Sequence, residues 1–159
     1  MSSSGSEAGD APPVGHAAGG IEIEVPADLV HLSFVRAVVT AFAEDQPAMN
    51  GDRVHDLALV VTEATTNAIQ AHQRAGVSEP VRVRCRAERD SVTVVVNDRG
   101  HGFDPDDLPE MPPPESPERL KRESGLGINL MRLLADELRI RSTAAGTQVR
   151  LVVRGSPAS

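Results

Sequence analysis

Glu63 and Asn67 stand four positions apart within Asp52 to Ala75 of a 159-residue chain. On a helix, such a pair lies one above the other on a single face. A carboxylate and a carboxamide placed this way can share one polar target, such as the water shell of a magnesium ion. A solvated Glu and Asn on a surface helix would show the same spacing. Further along, Asp98 is followed by Gly100 and Gly102 at the end of an apolar alternating run. A carboxylate there can accept from an amino group lying in a cleft, and the glycines let backbone approach a ligand. A plain Asp–Gly turn is the competing reading. Gly125 and Gly127 lead into an amphipathic stretch, where free N–H groups at a helix start favour phosphate. A flexible loop-to-helix junction fits equally well. Gly146-Thr147 opens the last alternating run, where a threonine hydroxyl could support Asp98 or a water. It also suits an ordinary strand. The P-loop ending Gly-Lys-Ser/Thr is absent, and no Gly-x-Gly-x-x-Gly opens a strand–turn–helix unit near the start.

The elements that must position these residues can be read from periodicity. Val54, Leu57, Ala58, Val61, Ala64 and Ala68 recur at helical spacing, with Asp52 as N-cap and Gly76 as stop. Glu63 and Asn67 are expected roughly opposite this stripe. Ahead of it, Ile21 to Val25 alternates as a half-buried strand. Pro26 opens a helix carrying Leu29, Leu32, Phe34, Val35, Val38, Val39 and Phe42 to about Glu44. Val81–Ala87 and Val92–Asn97 alternate around the polar turn 88–91, the pattern of an antiparallel hairpin. Ile128, Leu130, Met131, Leu133, Leu134 and Leu138 mark a third helix. Arg139 to Ser142 and Thr147 to Val153 form the closing hairpin. Hairpins separated by helices imply an α+β fold, one mixed, mainly antiparallel sheet with helices on one face. Residues 1–20 read as a disordered tail, 21–154 as one domain and 155–159 as a second tail. Six prolines between Phe103 and Ser124 rule out a long regular element there. The choice is between a mobile functional loop and a linker.

Composition removes several function classes. Aromatics are 2 % of the chain, too few for base-stacking platforms, and a formal charge of -7 opposes binding to a phosphate backbone. Direct nucleic-acid binding is therefore not expected. Cys85 is the only cysteine, so an internal disulfide or a cysteine metal cluster cannot form. No apolar run approaches ~18 residues and no apolar signal core is seen, so a cytoplasmic protein without membrane contact is expected.

Taken together and in order, Glu63-x-x-x-Asn67, Asp98-x-Gly-x-Gly102, Gly125-x-Gly127 and Gly146-Thr147 resemble the four boxes of the GHKL (Bergerat-fold) ATP-binding superfamily. The likeness spans roughly Ile21 to Val153. The small size and the run Glu123 to Met131 resemble its anti-sigma factor serine/threonine kinase branch. That resemblance implies a two-layer α/β sandwich binding ATP and Mg2+. Glu63 would be the general base, Asn67 the magnesium ligand, and Asp98, with Thr147 nearby, the acceptor for the adenine amino group. Gly100, Gly102, Gly125, Leu126 and Gly127 would shape the nucleotide pocket, and 103–124 would be the ATP lid. The chain departs from the family pattern twice. Ala71 stands four residues after Asn67, where the family often has histidine, and the histidine here is His72. Glu123 stands where kinase members often place a basic residue. Lys121 and Arg122 come just before it, as γ-phosphate contacts or as plain surface charges.

The function implied is an anti-sigma factor that binds a sigma factor and phosphorylates a serine of an anti-sigma antagonist, as a homodimer. A non-catalytic ATP-dependent binding module is the alternative. A detached histidine-kinase ATPase domain fits less well, because neither His31 nor His55 sits in a phosphoacceptor pattern ending in proline.

Overall fold

The computed structural model describes residues 11–17, 19–101 and 123–155. Six strands form one sheet in the order β1-β2-β3-β4-β6-β5. They are β1 (Val14–Ala17), β2 (Gly20–Val25), β3 (Val81–Ala87), β4 (Ser91–Asp98), β5 (Glu137–Thr143) and β6 (Gly146–Arg154). Every pairing is antiparallel, so the mixed sheet expected from sequence is in fact wholly antiparallel among the described residues. Among the described residues, three α-helices accompany it: α1 (Leu32–Glu44), α2 (Gly51–Ala75) and α3 (Glu123–Leu134).

Alternation explains the two layers. Ile23, Val25, Val81, Val83, Cys85, Val92, Val94, Val96, Val149, Leu151 and Val153 are buried and belong to one core with the helices. Their neighbours Arg82, Arg84, Arg86 and Arg150 are exposed on the other side of the pleat. Burying a side chain such as Leu57 or Ile69 from α2 is worth about 1.5–3 kcal/mol. Cys85 is one of these strand residues. Burial pushes its thiol up to about 12, which leaves it a packing group without thiolate chemistry.

α2 is the centre of the helical layer and packs on α1, α3, β3, β4 and β6. This crowding buries Val60, Thr65, Ile69 and His72 as well as the six-residue stripe read from sequence. Its cap is Asn50, whose side chain accepts from Arg53 N at 2.9 Å; Asp52, the cap expected from sequence, lies in the first turn beside the positive dipole end. Gly76, with φ 68°, closes the helix as expected.

Other boundaries shift for local reasons. Asp28 accepts from Val30 N at 3.0 Å and winds a short 3-10 turn, Leu29–His31, so α1 begins at Leu32 and not at Pro26. Within the expected tail, Val14–Ala17 pairs with β2 in the register Val14↔Ile23. The pairing satisfies backbone groups that the edge of β2 would otherwise present to water, and backbone hydrogen bonding needs no distinctive side chains. α3 starts at Glu123, so the last two residues of the expected lid, and both Gly125 and Gly127, are helical. The rest of that segment, 103–122, lies outside the described residues.

Candidate functional site

Glu63 and Asn67 project from successive turns of α2, both half-buried. Among the described residues neither side chain has a hydrogen-bond or ion-pair partner, which leaves their oxygens available to a ligand. Gly127 of α3 faces them directly. A Cβ at position 127 would lie 2.8 Å from Glu63 Oε2 and 3.4 Å from Asn67 Nδ2. Glycine lets the α3 backbone come this close without displacing the Glu63 carboxylate. Gly125 and Leu126 precede it in the same helix.

Asp98 ends β4 directly opposite Thr147 of β6. The N–H of Gly100 donates to its Oδ1 at 2.8 Å, closing the turn that follows the strand. Burial raises the Asp98 carboxyl above the ordinary carboxylate value. The backbone N–H groups of Gly100 and Thr147, and the charge of Arg74, oppose the rise. The Thr147 hydroxyl is buried and shares a 2.8 Å hydrogen bond with Ser142 Oγ. Thr147 thus supports Asp98 through its backbone, where the sequence suggested its hydroxyl. Gly100 is buried against α2, and a Cβ there would meet Ala71 Cβ at 2.8 Å.

One face of α2 therefore carries both halves of the site. Residues 63, 67 and 71 follow one another at one-turn spacing, about 6 Å per step. The upper end meets Gly127, and the lower end meets the Asp98–Gly100 turn. The arrangement presents a carboxylate acceptor at one end, and a carboxylate, a carboxamide and a glycine-bearing helix start at the other. Gly102, Lys121 and Arg122 lie outside the described residues. A groove lined by Arg82, Arg84, Asn97 and Arg141 runs up to the Asp98 turn, where Asp98, Arg99, Gly146 and Thr147 complete its wall. Arg82, Arg84 and Asn97 alternate with core residues, so most of this groove covers the sheet face away from the helices and only its edge reaches Asp98.

Sequence reading missed one member. His72 is fully buried, with Nδ1 2.8 Å from Glu79 O and Nε2 accepting from Arg99 N at 2.8 Å. A signal did exist: His72 continues the buried spacing 61, 65, 68 and 69 and is its one imidazole. Among the described residues, no three His, Cys, Asp or Glu side chains gather as a metal cage. Magnesium does not require one, since it is usually held by one or two protein oxygens with waters and substrate phosphates. The hard oxygens of Asn67 and Glu63 fit that demand.

A family model described as a histidine kinase-like ATPase domain matches residues 25–153. The chain is 34 % identical over 124 residues to the serine-protein kinase RsbW of Bacillus licheniformis, covering 76 % of this chain and 77 % of that one. It is 32 % identical over 135 residues to the anti-sigma F factor of Pasteuria penetrans, covering 83 % and 88 %. Among solved structures, a Mycobacterium tuberculosis chain with RsbU and RsbW domains superposes with a TM-score of 0.62 at 21 % identity. That match covers 86 % of this chain and 32 % of the longer one. The SiaB–SiaC complex of Pseudomonas aeruginosa gives a TM-score of 0.58 at 15 % identity, covering 83 % and 88 %. Both structures share the fold.

Proposed function

The chain belongs to the histidine kinase-like ATPase family, and on that premise we propose that it is an ATP-dependent protein serine/threonine kinase acting as an anti-sigma factor. Its partners are a sigma factor and an anti-sigma antagonist protein, whose serine it phosphorylates. The names of its relatives, serine-protein kinase and anti-sigma factor, support this reading. The observation that carries it is the single α2 face that meets Gly127 at Glu63 and Asn67, and the Asp98 turn at Ala71.

Each residue then has a task. Asp98 accepts from the 6-amino group of adenine and so selects ATP over GTP, which has an oxygen there. Asn67 would hold Mg2+, with Glu63 beside it. The ion, when bound, neutralises phosphate charge. The first turn of α3, held close to α2 by Gly127, would offer its free backbone N–H groups and the positive helix end to the phosphates. The acceptor serine oxygen forms a bond to the γ-phosphorus as the bond to the leaving ADP oxygen breaks. The serine proton passes to Glu63. Transfer of this kind depends on positioning and charge stabilisation more than on covalent help from the protein. A homodimer in the cytoplasm is part of the same reading. Among the described residues no helix is long and apolar enough to cross a membrane.

Single-turnover transfer from γ-labelled ATP to the antagonist tests the reading. Glu63→Gln should bind ATP within about threefold of the parent and lose ~10²–10⁴ in transfer rate, the scale of a lost general base. Transfer at the parent rate would remove Glu63 from that role. Tight ATP binding by the parent with no transfer to any antagonist would favour a nucleotide-dependent binding module instead.

A further inference from the structure

His72 occupies the last turn of α2, fully buried, and both of its ring nitrogens are committed. A carbonyl oxygen can only accept, so Nδ1 carries the hydrogen that goes to Glu79 O. A backbone N–H can only donate, so Nε2 is bare where it receives Arg99 N. The two partners therefore fix the neutral Nδ1–H tautomer and the ring plane together.

Arg99 lies between Asp98 and Gly100. The β4–β6 ladder stops at the pair Asp98↔Thr147, so no strand partner takes up the Arg99 N–H. His72 takes it instead. Around it, Gly100 N–H closes onto Asp98 Oδ1 and Gly100 rests on Ala71. The Arg99–Glu79 ion pair spans the same two segments, but both side chains are more than half exposed and the pair fixes little. The buried imidazole is thus the tie that sets the height of the Asp98 turn over α2.

We propose that His72 is a positioning residue for base selection: through Nε2 it holds the Arg99 N–H, and with it the Asp98 carboxylate, at the height where adenine is read. It touches neither nucleotide nor reacting atoms. The proposal rests on reading Asp98 as the adenine acceptor.

Two substitutions separate positioning from mere support. In His72→Gln the side-chain amide reaches to the place of Nε2 and can still accept from Arg99 N–H, while the bond to Glu79 is lost. In His72→Asn the shorter amide stands near Nδ1 and can still serve Glu79, while Arg99 N–H is left unpaired. Both remove one buried hydrogen bond and should lower the unfolding temperature comparably. Calorimetric affinities for ATP and for inosine triphosphate, which lacks the 6-amino group, are measured on the parent, both variants and Asp98→Asn. His72→Asn should weaken ATP about tenfold and erase most of the preference over inosine triphosphate, whereas His72→Gln stays within about threefold. Equal losses in the two variants, an unchanged preference in both, or failure of both to fold would overturn the proposal and leave His72 a support of the fold. If Asp98→Asn keeps the full preference, the adenine reading itself falls. If Asp98→Asn loses it while His72→Asn does not, only the role of His72 falls.

Discussion

Replacing Gly127 by alanine adds one methyl group at the point where α3 meets the polar face of α2. The new Cβ would stand 2.8 Å from Glu63 Oε2, against an ordinary contact of 3.4 Å or more, so the carboxylate must retreat by about 0.6 Å. Asn67 Nδ2, at 3.4 Å, sits at the limit and need hardly move. The obstacle is the far end of a flexible side chain, so relief costs about 0.5–1.5 kcal/mol as an off-rotamer Glu63. Alanine in a helix interior returns about 1 kcal/mol relative to glycine. The two nearly cancel, and the unfolding temperature should stay within a few degrees of the parent. Catalysis has no such compensation. Displacement of a reacting group by ~1 Å can cost ~10²-fold, so a shift of this size should slow phosphate transfer by about 10–10²-fold, with ATP affinity changed only a few-fold. Circular-dichroism melts, nucleotide calorimetry and single-turnover transfer supply the three readouts. Gly51→Ala is the control, because none of the described residues lies within 4 Å of a Cβ there, and it should transfer at the parent rate. A folded Gly127→Ala protein that transfers as fast as the parent would refute the placement of Glu63 as base beneath α3.

Asp98→Asn should weaken ATP by roughly ten- to a hundredfold in calorimetry, as expected for a lost hydrogen bond to a charged group. The same variant should be more stable than the parent near neutral pH. The fold raises the Asp98 pKa by burial, so its stabilising contribution is full below the ordinary carboxylate value and is lost as pH rises through the raised one. Melting temperatures measured from about pH 4 to about pH 8 should show the gap opening with pH; a constant gap would contradict the burial account. Thr65→Val should stabilise by about 1 kcal/mol in urea unfolding, because the Thr65 hydroxyl is fully buried and has no hydrogen-bond partner among the described residues. Asp136→Ala should cost about 1–2 kcal/mol in the same assay without affecting transfer. It removes the acceptor of Arg53 Nη2 at 2.6 Å and of Arg154 N at 2.7 Å, which ties the start of α2 to the end of β6.

Much of the fold was legible because each layer has one dry side. Alternation in Val81–Ala87 and the spacing of Val54, Leu57 and Val61 report that side directly, since a one-residue error would turn the whole set to water. Four short boxes in order carried the family likeness. Val14–Ala17 was not legible, because its pairing with β2 is made by backbone atoms that every sequence shares. Nor were the true ends of α1 and α3. The first depends on Asp28 winding its own turn, and the second on glycines that are weak helix formers in isolation but let α3 close onto Glu63. The same holds for the site. Sequence could name Glu63, Asn67 and Asp98 by type and order. That Gly127 faces the first two, that Gly100 rests on Ala71, and that His72 reaches Arg99 across 27 positions were decided by packing alone. Such contacts arise between elements far apart in the chain, and no local periodicity records which turn of one helix another will meet.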